Sequence, residues 1–127
     1  MILIAENDET TRFVLAEALA RAGHTVECVE DGEALWPRLA APDVELLVVD
    51  LRMPGMNGWE VLRRLRRPHA PESPSRVPVV VVSAQSDPET AAFTTRLGAS
   101  AFLAKPLDLH ELTRTVERIL AAQTFSP

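Results

Sequence analysis

Four short apolar runs in this sequence each end in residues able to do chemistry. Ile2–Ala5 runs into Glu6 and Asn7, Leu46–Val49 into Asp50, Val79–Val82 into Ser83, and Ala101–Ala104 into Lys105. A continuous apolar run bounded by turn residues is the pattern of a strand buried on both faces. In an open α/β sheet the carboxyl ends of parallel strands share one edge, so these groups would converge there. The set combines oxygen ligands, a hydroxyl and a cation. A carboxylate can attack phosphorus and form an acyl phosphate. That attack needs nearby positive charge, because charge spreads over the phosphoryl oxygens in the transition state. Mg²⁺ supplies such charge through oxygen ligands, Lys105 adds more, and the Ser83 hydroxyl can donate to a phosphoryl oxygen. Alone, each residue has an ordinary role as a helix cap, a backbone partner or a solvated charge. Their conjunction makes Asp50 the expected nucleophile.

Composition sharpens one position. Of the 13 basic residues, Lys105 is the only lysine. Lysine is a compact point charge and arginine a planar fork, so the two are not interchangeable at a tight site. The net charge of −5 and the scatter of the arginines give no nucleic-acid surface. The tightest group, Arg63, Arg64, Arg66 and Arg67, is expected to be a solvated helix end, where cations suit the dipole. No apolar run reaches membrane-spanning length, and the start MILIAENDE lacks a basic region before an apolar one, so a cytoplasmic protein without membrane insertion is expected. The single cysteine, Cys28, agrees with a reducing compartment. Neither a Gly-x-Gly-x-x-Gly after the first strand nor a P-loop pattern is present. The histidines His24, His69 and His110 lack metal-ligand spacing.

Five βα units must position these groups. Asn7 or Asp8 can cap a first helix, on which Leu15, Leu19 and Ala22 share a face before Gly23 stops it. His24–Val29 alternates polar and apolar residues, as an edge strand does. Asp31-Gly32 opens a second helix that Pro37 keeps short or kinked. A third helix runs from about Gly58 to Arg67 and stops at Pro68. Pro68–Pro78 holds four of the ten prolines and is expected to be a loop, either a surface insertion or a partner-specific contact. Ser86-Asp87-Pro88-Glu89 starts a fourth helix that ends at Gly98. Asp108 and Glu111 have capping-box spacing for a fifth helix, which is expected to end near Ala122. The expected domain covers residues 1–122, with 123–127 as a short tail and no second domain following. Right-handed crossovers place helices on both faces of a mostly parallel sheet.

At this point the residues resemble a known family. Glu6, Asp50 with Met53-Pro54-Gly55-Met56-x-Gly58, Ser83-Ala84, Gly98-Ala99, and Phe102 with Lys105-Pro106 are similar in kind and order to receiver domains of two-component response regulators, in a single-domain form like the chemotaxis regulators. The resemblance implies a flavodoxin-like α/β fold, with a doubly wound five-stranded parallel sheet of order 2-1-3-4-5 and five helices. It implies that a histidine kinase or histidine phosphotransfer protein phosphorylates Asp50, with only self-catalysed transfer and autodephosphorylation as activity. It implies Mg²⁺ held by the acids ending the first strand, by Asp50 and by the backbone carbonyl of Arg52, and a cis Lys105-Pro106 bond. A switch would run through Ser83 and Phe102, the ring turning inward as the hydroxyl moves toward the phosphoryl group. A downstream protein target, or a second copy in a homodimer, would bind the face made by the fourth helix, fifth strand and fifth helix, which includes His110.

One departure matters. The family usually has two acids after the first strand, but here the second is Asn7, with Asp8 one step late. An amide oxygen binds a hard cation without formal charge. At an effective dielectric near 20, a unit charge pair at ~4 Å is worth about 4 kcal/mol, and solvation absorbs much of this. Weakened Mg²⁺ binding is therefore expected, with Asp8 either compensating or capping the first helix. Asn7 also motivates the alternative of a pseudo-receiver, a constitutive protein-binding module with weak or no phosphorylation. A phosphohydrolase fits poorly, because such enzymes generally want a second acid where Arg52 stands.

Overall fold

The computed structural model describes residues 1–66 and 77–124. Strands and helices alternate: β1 (Ile2–Ala5), α1 (Glu9–Arg21), β2 (Val26–Val29), α2 (Gly32–Leu39), β3 (Leu46–Asp50), α3 (Gly58–Leu65), β4 (Val79–Ser83), α4 (Pro88–Arg96), β5 (Ala101–Ala104) and α5 (Leu109–Thr124). The five strands form one sheet in the order β2-β1-β3-β4-β5. Every neighbouring pair is parallel. This is the flavodoxin-like arrangement expected from the sequence.

Successive side chains on a strand point to opposite faces, and the apolar runs therefore feed two cores. On one face Leu3, Leu47, Val49 and Val81 pack with Leu35 of α2 and Val61, Leu62 and Leu65 of α3. On the other, Ile4, Leu46, Val48, Val80 and Val82 pack with Leu15 and Leu19 of α1 and Leu112 and Val116 of α5. Burial on both sides explains why the central strands carry no polar alternation. At the β2 edge, Arg38 of α2 forks onto the Glu27 carboxylate.

Several boundaries differ from the sequence reading. β2 starts at Val26 rather than His24, because His24 N–H turns back to the Leu19 carbonyl, 3.1 Å away, behind Gly23 with φ +100°. α3 ends at Leu65, and Arg66 is its C-cap. α4 ends at Arg96, two residues before Gly98 turns the chain with φ +116°. α5 continues through Gln123 to Thr124, so these residues are helical rather than tail. Pro37 lies inside an α2 of only eight residues. Residues 67–76, most of the proline-rich loop including His69, and residues 125–127 lie outside the described residues.

Candidate functional site

The four strand ends meet as the topology requires, and the register sets who sits beside whom. Asp50 pairs with Val82, so Ser83 lies one residue further along the neighbouring strand. Ser83 in turn pairs with Ala104, and the Lys105 N–H continues that ladder to the Ser83 carbonyl at 2.8 Å. The peptide bond between Lys105 and Pro106 is cis.

Lys105 joins the two acids. Its Nζ lies 2.8 Å from Glu6 Oε1 and 2.9 Å from Asp50 Oδ2. The other carboxylate oxygens take backbone donors: Asp8 N–H to Glu6 Oε2 at 3.0 Å, and Arg52 N–H to Asp50 Oδ1 at 3.0 Å. Glu6 is 1% exposed and Asp50 8%, so hydrogen-bond partners from the protein replace the water that both have lost. Burial pushes the Glu6 carboxyl above its ordinary range, against the bonds from Lys105 and Asp8 N–H that pull it down. Burial alone would lower the Lys105 ammonium, but the bonds and charges of Asp50 and Glu6 outweigh it and hold the amine above its usual value. Two buried carboxylates thus share one ammonium, whose side chain is partly exposed.

Glycines let the Asp50 loop take its shape. Gly55 has φ +78°, a backbone state open to glycine at no steric cost. A Cβ on Gly58 would stand 3.0 Å from Leu51 Cα and 3.3 Å from the Asp50 carbonyl oxygen. Its absence lets the first turn of α3 close onto the end of β3, where Gly58 N–H reaches the Leu51 carbonyl at 2.8 Å. Asn57 caps α3 through the Glu60 N–H.

Ser83 is buried, and its hydroxyl accepts from Gln85 N–H at 2.9 Å. Gln85 then extends the contact outward. Its Oε1 accepts from Arg52 Nη2 at 2.9 Å and its Nε2 donates to Thr90 Oγ1 at 3.2 Å. Thr94 Oγ1 donates to the Thr90 carbonyl and accepts from Trp59 Nε1 at 3.0 Å. Trp59 also meets Phe93 edge-on, with ring centroids 5.5 Å apart. A chain of polar contacts thus links the loops after β3 and β4 to α4.

The remaining sequence candidates are placed differently. Asp8 is the cap of α1, its Oδ2 taking the Thr11 N–H at 2.8 Å and the Thr11 hydroxyl at 2.6 Å. Asn7 is exposed, and its carbonyl oxygen, not its amide, takes a bond from Arg12 Nη1 at 3.3 Å. Phe102 is half-buried against the α3-side core. The arginine group is not a uniform solvated end. Arg66 is partly buried, and its guanidinium ties the carbonyls of Gly98 and Val77 to the end of α3 at 3.0 Å each. Burial lowers its pKa. Arg64 lies over the Trp36 ring, 4.9 Å from its centroid. Sequence reasoning missed the Gln85 bridge and the Arg52 side chain, because neither polar residue carries a local signal of its partner.

Two carboxylates with further oxygen donors at a strand edge match a hard cation that retains several waters. Among the described residues, no three acidic, histidine or cysteine side chains gather as a metal site, so the fit rests on Glu6, Asp50 and uncharged oxygens.

Comparisons with known proteins agree with this geometry. The family model for the response regulator receiver domain matches residues 2–117. The sensory/regulatory protein RpfC of Xanthomonas campestris is 41% identical over 115 residues, which is 91% of this chain and 16% of that protein. The DNA-binding transcriptional regulator NtrC of Rhizobium meliloti is 39% identical over 126 residues, 99% of this chain and 25% of that protein. The chain therefore spans a quarter or less of the length of these relatives. Among solved structures, the signal receiver domain of a signal transduction histidine kinase from Syntrophus aciditrophicus superposes with TM-score 0.84 at 28% identity, covering 99% of this chain and 93% of that one. The chemotaxis response regulator CheY4 of Vibrio cholerae gives TM-score 0.79 at 26% identity, covering 93% and 96%. With its parallel sheet in the order 2-1-3-4-5 and an aspartate ending the central strand, the chain belongs to the response regulator receiver domain family of two-component signal transduction.

Proposed function

We propose that Asp50 accepts a phosphoryl group from the phosphohistidine of a histidine kinase or phosphotransfer protein, and that the acyl phosphate switches protein contacts. The observation that carries this reading is the Lys105 ammonium 2.9 Å from the Asp50 carboxylate, on a buried strand end. In the transfer, an Asp50 oxygen forms a bond to phosphorus as the phosphorus–nitrogen bond breaks. The imidazole leaves with that electron pair and takes a proton. Lys105 balances charge on the phosphoryl oxygens. The Ser83 hydroxyl gives up Gln85 N–H and donates to a phosphoryl oxygen, and Phe102 turns into the space it leaves. Glu6, Asp50, the Asn7 amide oxygen and the Arg52 carbonyl would hold Mg²⁺, which when bound adds positive charge at the same oxygens. Asn7 makes that hold weaker than an acid would, and Asp8 is engaged as a cap.

Partner contacts follow the surface. Phe13 and Val14 of α1 and Leu109 of α5 are exposed large apolar residues. Val14 and Leu109 line one groove with Lys105, which suits the docking of a phosphodonor protein beside Asp50. The α4-β5-α5 face is left for the downstream target or a second copy. No helix among the described residues is long and apolar enough to cross a membrane.

Incubation with acetyl phosphate and Mg²⁺ should add one phosphoryl mass to the wild type and none to Asp50→Asn. A wild-type chain left unmodified, beside a receiver that reacts, would refute the proposal. The exposed Asn7 amide supports one alternative, a constitutive binding module. That reading expects partner binding unchanged by Asp50→Asn.

A further inference from the structure

The loop that follows Asp50 is held at both ends by backbone bonds, but its middle rests on another helix. Met56 packs against α2: its sulfur accepts the Trp36 indole N–H at 3.0 Å. Gly32, the first residue of α2, stands so close that a Cβ there would lie 2.6 Å from Met56 Cβ. The Arg64 guanidinium of α3 lies over the indole ring, 4.9 Å from its centroid. Trp36 therefore contacts both a cation of α3 and the thioether of the β3–α3 loop. That loop also carries Arg52, whose N–H holds Asp50 Oδ1. Met56 N–H bonds the Met53 carbonyl at 3.3 Å and Gly58 N–H the Leu51 carbonyl, so a shift of Met56 is transmitted along a short, tied segment.

We propose that Trp36 and Gly32 of α2 are positioning residues for the phosphoacceptor loop, setting through Met56 where the Arg52 backbone lies relative to Asp50. This rests on the phosphoacceptor reading and deepens it, since it assigns the placement of a cation-site backbone carbonyl to residues that touch neither phosphoryl group nor metal. The thioether is a weak acceptor and the indole a donor only, so the pair fixes orientation more than it adds binding strength. A bulkier residue at position 32 must displace Met56 at its Cβ, which moves with the backbone.

Two variants test this from opposite sides. Trp36→Phe keeps a ring under Arg64 but removes the N–H. Gly32→Ala adds the obstructing Cβ while favouring helix at α2. In the 127-residue chain, Mg²⁺ titration by calorimetry should show both variants weaker than wild type by about three- to tenfold, less than the 10- to 100-fold typical for groups bonded directly to a ligand. Acetyl phosphate labelling should slow at limiting Mg²⁺ and recover at saturating Mg²⁺. The amide resonances of Arg52, Gly55 and Gly58 should shift without metal. A purely structural role would lower thermal stability but leave Mg²⁺ affinity and these resonances at wild-type values, and that result overturns the inference. Should the wild type bind no Mg²⁺, the metal reading fails by itself. The amide shifts then decide the positioning role: shifted in both variants supports it, unshifted overturns it.

Discussion

Helices α3 and α4 follow neighbouring strands and flank the same corner of the site, yet different physics holds each. α3 buries Val61, Leu62 and Leu65 in the sheet core. α4 buries two threonines, Thr90 and Thr94, and no aliphatic side chain. Fully burying an aliphatic side chain is worth ~1.5–3 kcal/mol, whereas a typical neutral hydrogen bond nets ~0.5–1.5 kcal/mol. The element after Asp50 is thus anchored, and the element after Ser83 is attached by bonds that can be exchanged one at a time. Segments with few buried apolar contacts open at low free energy. Under the proposed phosphorylation of Asp50, α4 is the element expected to shift without disturbing the core.

The largest expected effect breaks the anchored side. Leu62→Ala removes a fully buried side chain of α3 and should cost about 3 kcal/mol in urea unfolding, as large core truncations do. No single polar change on α4 should approach it.

Lys105→Met comes next and tests the charged ends of β1, β3 and β5. It leaves Glu6 and Asp50 buried without their shared cation, with an expected cost of about 2 kcal/mol near pH 7, below the usual range for a broken buried pair because Lys105 is partly exposed. The pH dependence has a definite sign. The folded Glu6 carboxyl already sits high, and losing the Lys105 bond raises it further. The variant's deficit should therefore shrink as pH falls through that raised value and the carboxyl takes up a proton. On the alkaline side, the wild-type Lys105 amine is held above its ordinary value by Asp50 and Glu6. Its contribution is complete below the unfolded value and is lost as pH rises through the folded one. Unfolding curves from pH 5 to 11 for both proteins check both arms.

Smaller effects sharpen the comparison on the α4 side. Thr94→Val keeps the volume but removes the acceptor for Trp59 Nε1 and the bond to the Thr90 carbonyl. It should cost about 1 kcal/mol and speed amide exchange in α4 more than in α3. Gln85→Ala cuts the bridge from Arg52 to Thr90. With Arg52 exposed, about 0.5 kcal/mol is expected, below the Thr94→Val cost. Amide exchange spreading equally through α3 and α4 in Thr94→Val would contradict the division between the helices.

Much of this molecule was legible in its residues. The apolar runs, the turn residues around Gly55 and Gly58, and the caps at Asp87 and Asp108 are local signals, and the structure uses both caps, Asp87 taking the Thr90 N–H and Asp108 the Glu111 N–H. Arg63, Arg64, Arg66 and Arg67 look alike in sequence, so nothing local marks Arg66 as a residue that folds inward. Arg66 is drawn inward by the carbonyls of Gly98 and Val77, which come from other elements. Asn7 and Asp8 could not be ranked as cap from order alone. The first turn of α1 selects Asp8, because its oxygen reaches the Thr11 N–H.

The sequence by itself determined which residues end the strands, because hydrophobic period and turn chemistry act over a few residues. Only the tertiary structure decided how those ends are paired. Lys105 meets Glu6 across 99 positions of chain and Asp50 across 55, and Ser83 turns to Gln85 rather than toward them. The orientation of a buried polar group is set by whichever distant donor or acceptor replaces its water, and that partner exists only after the sheet has closed.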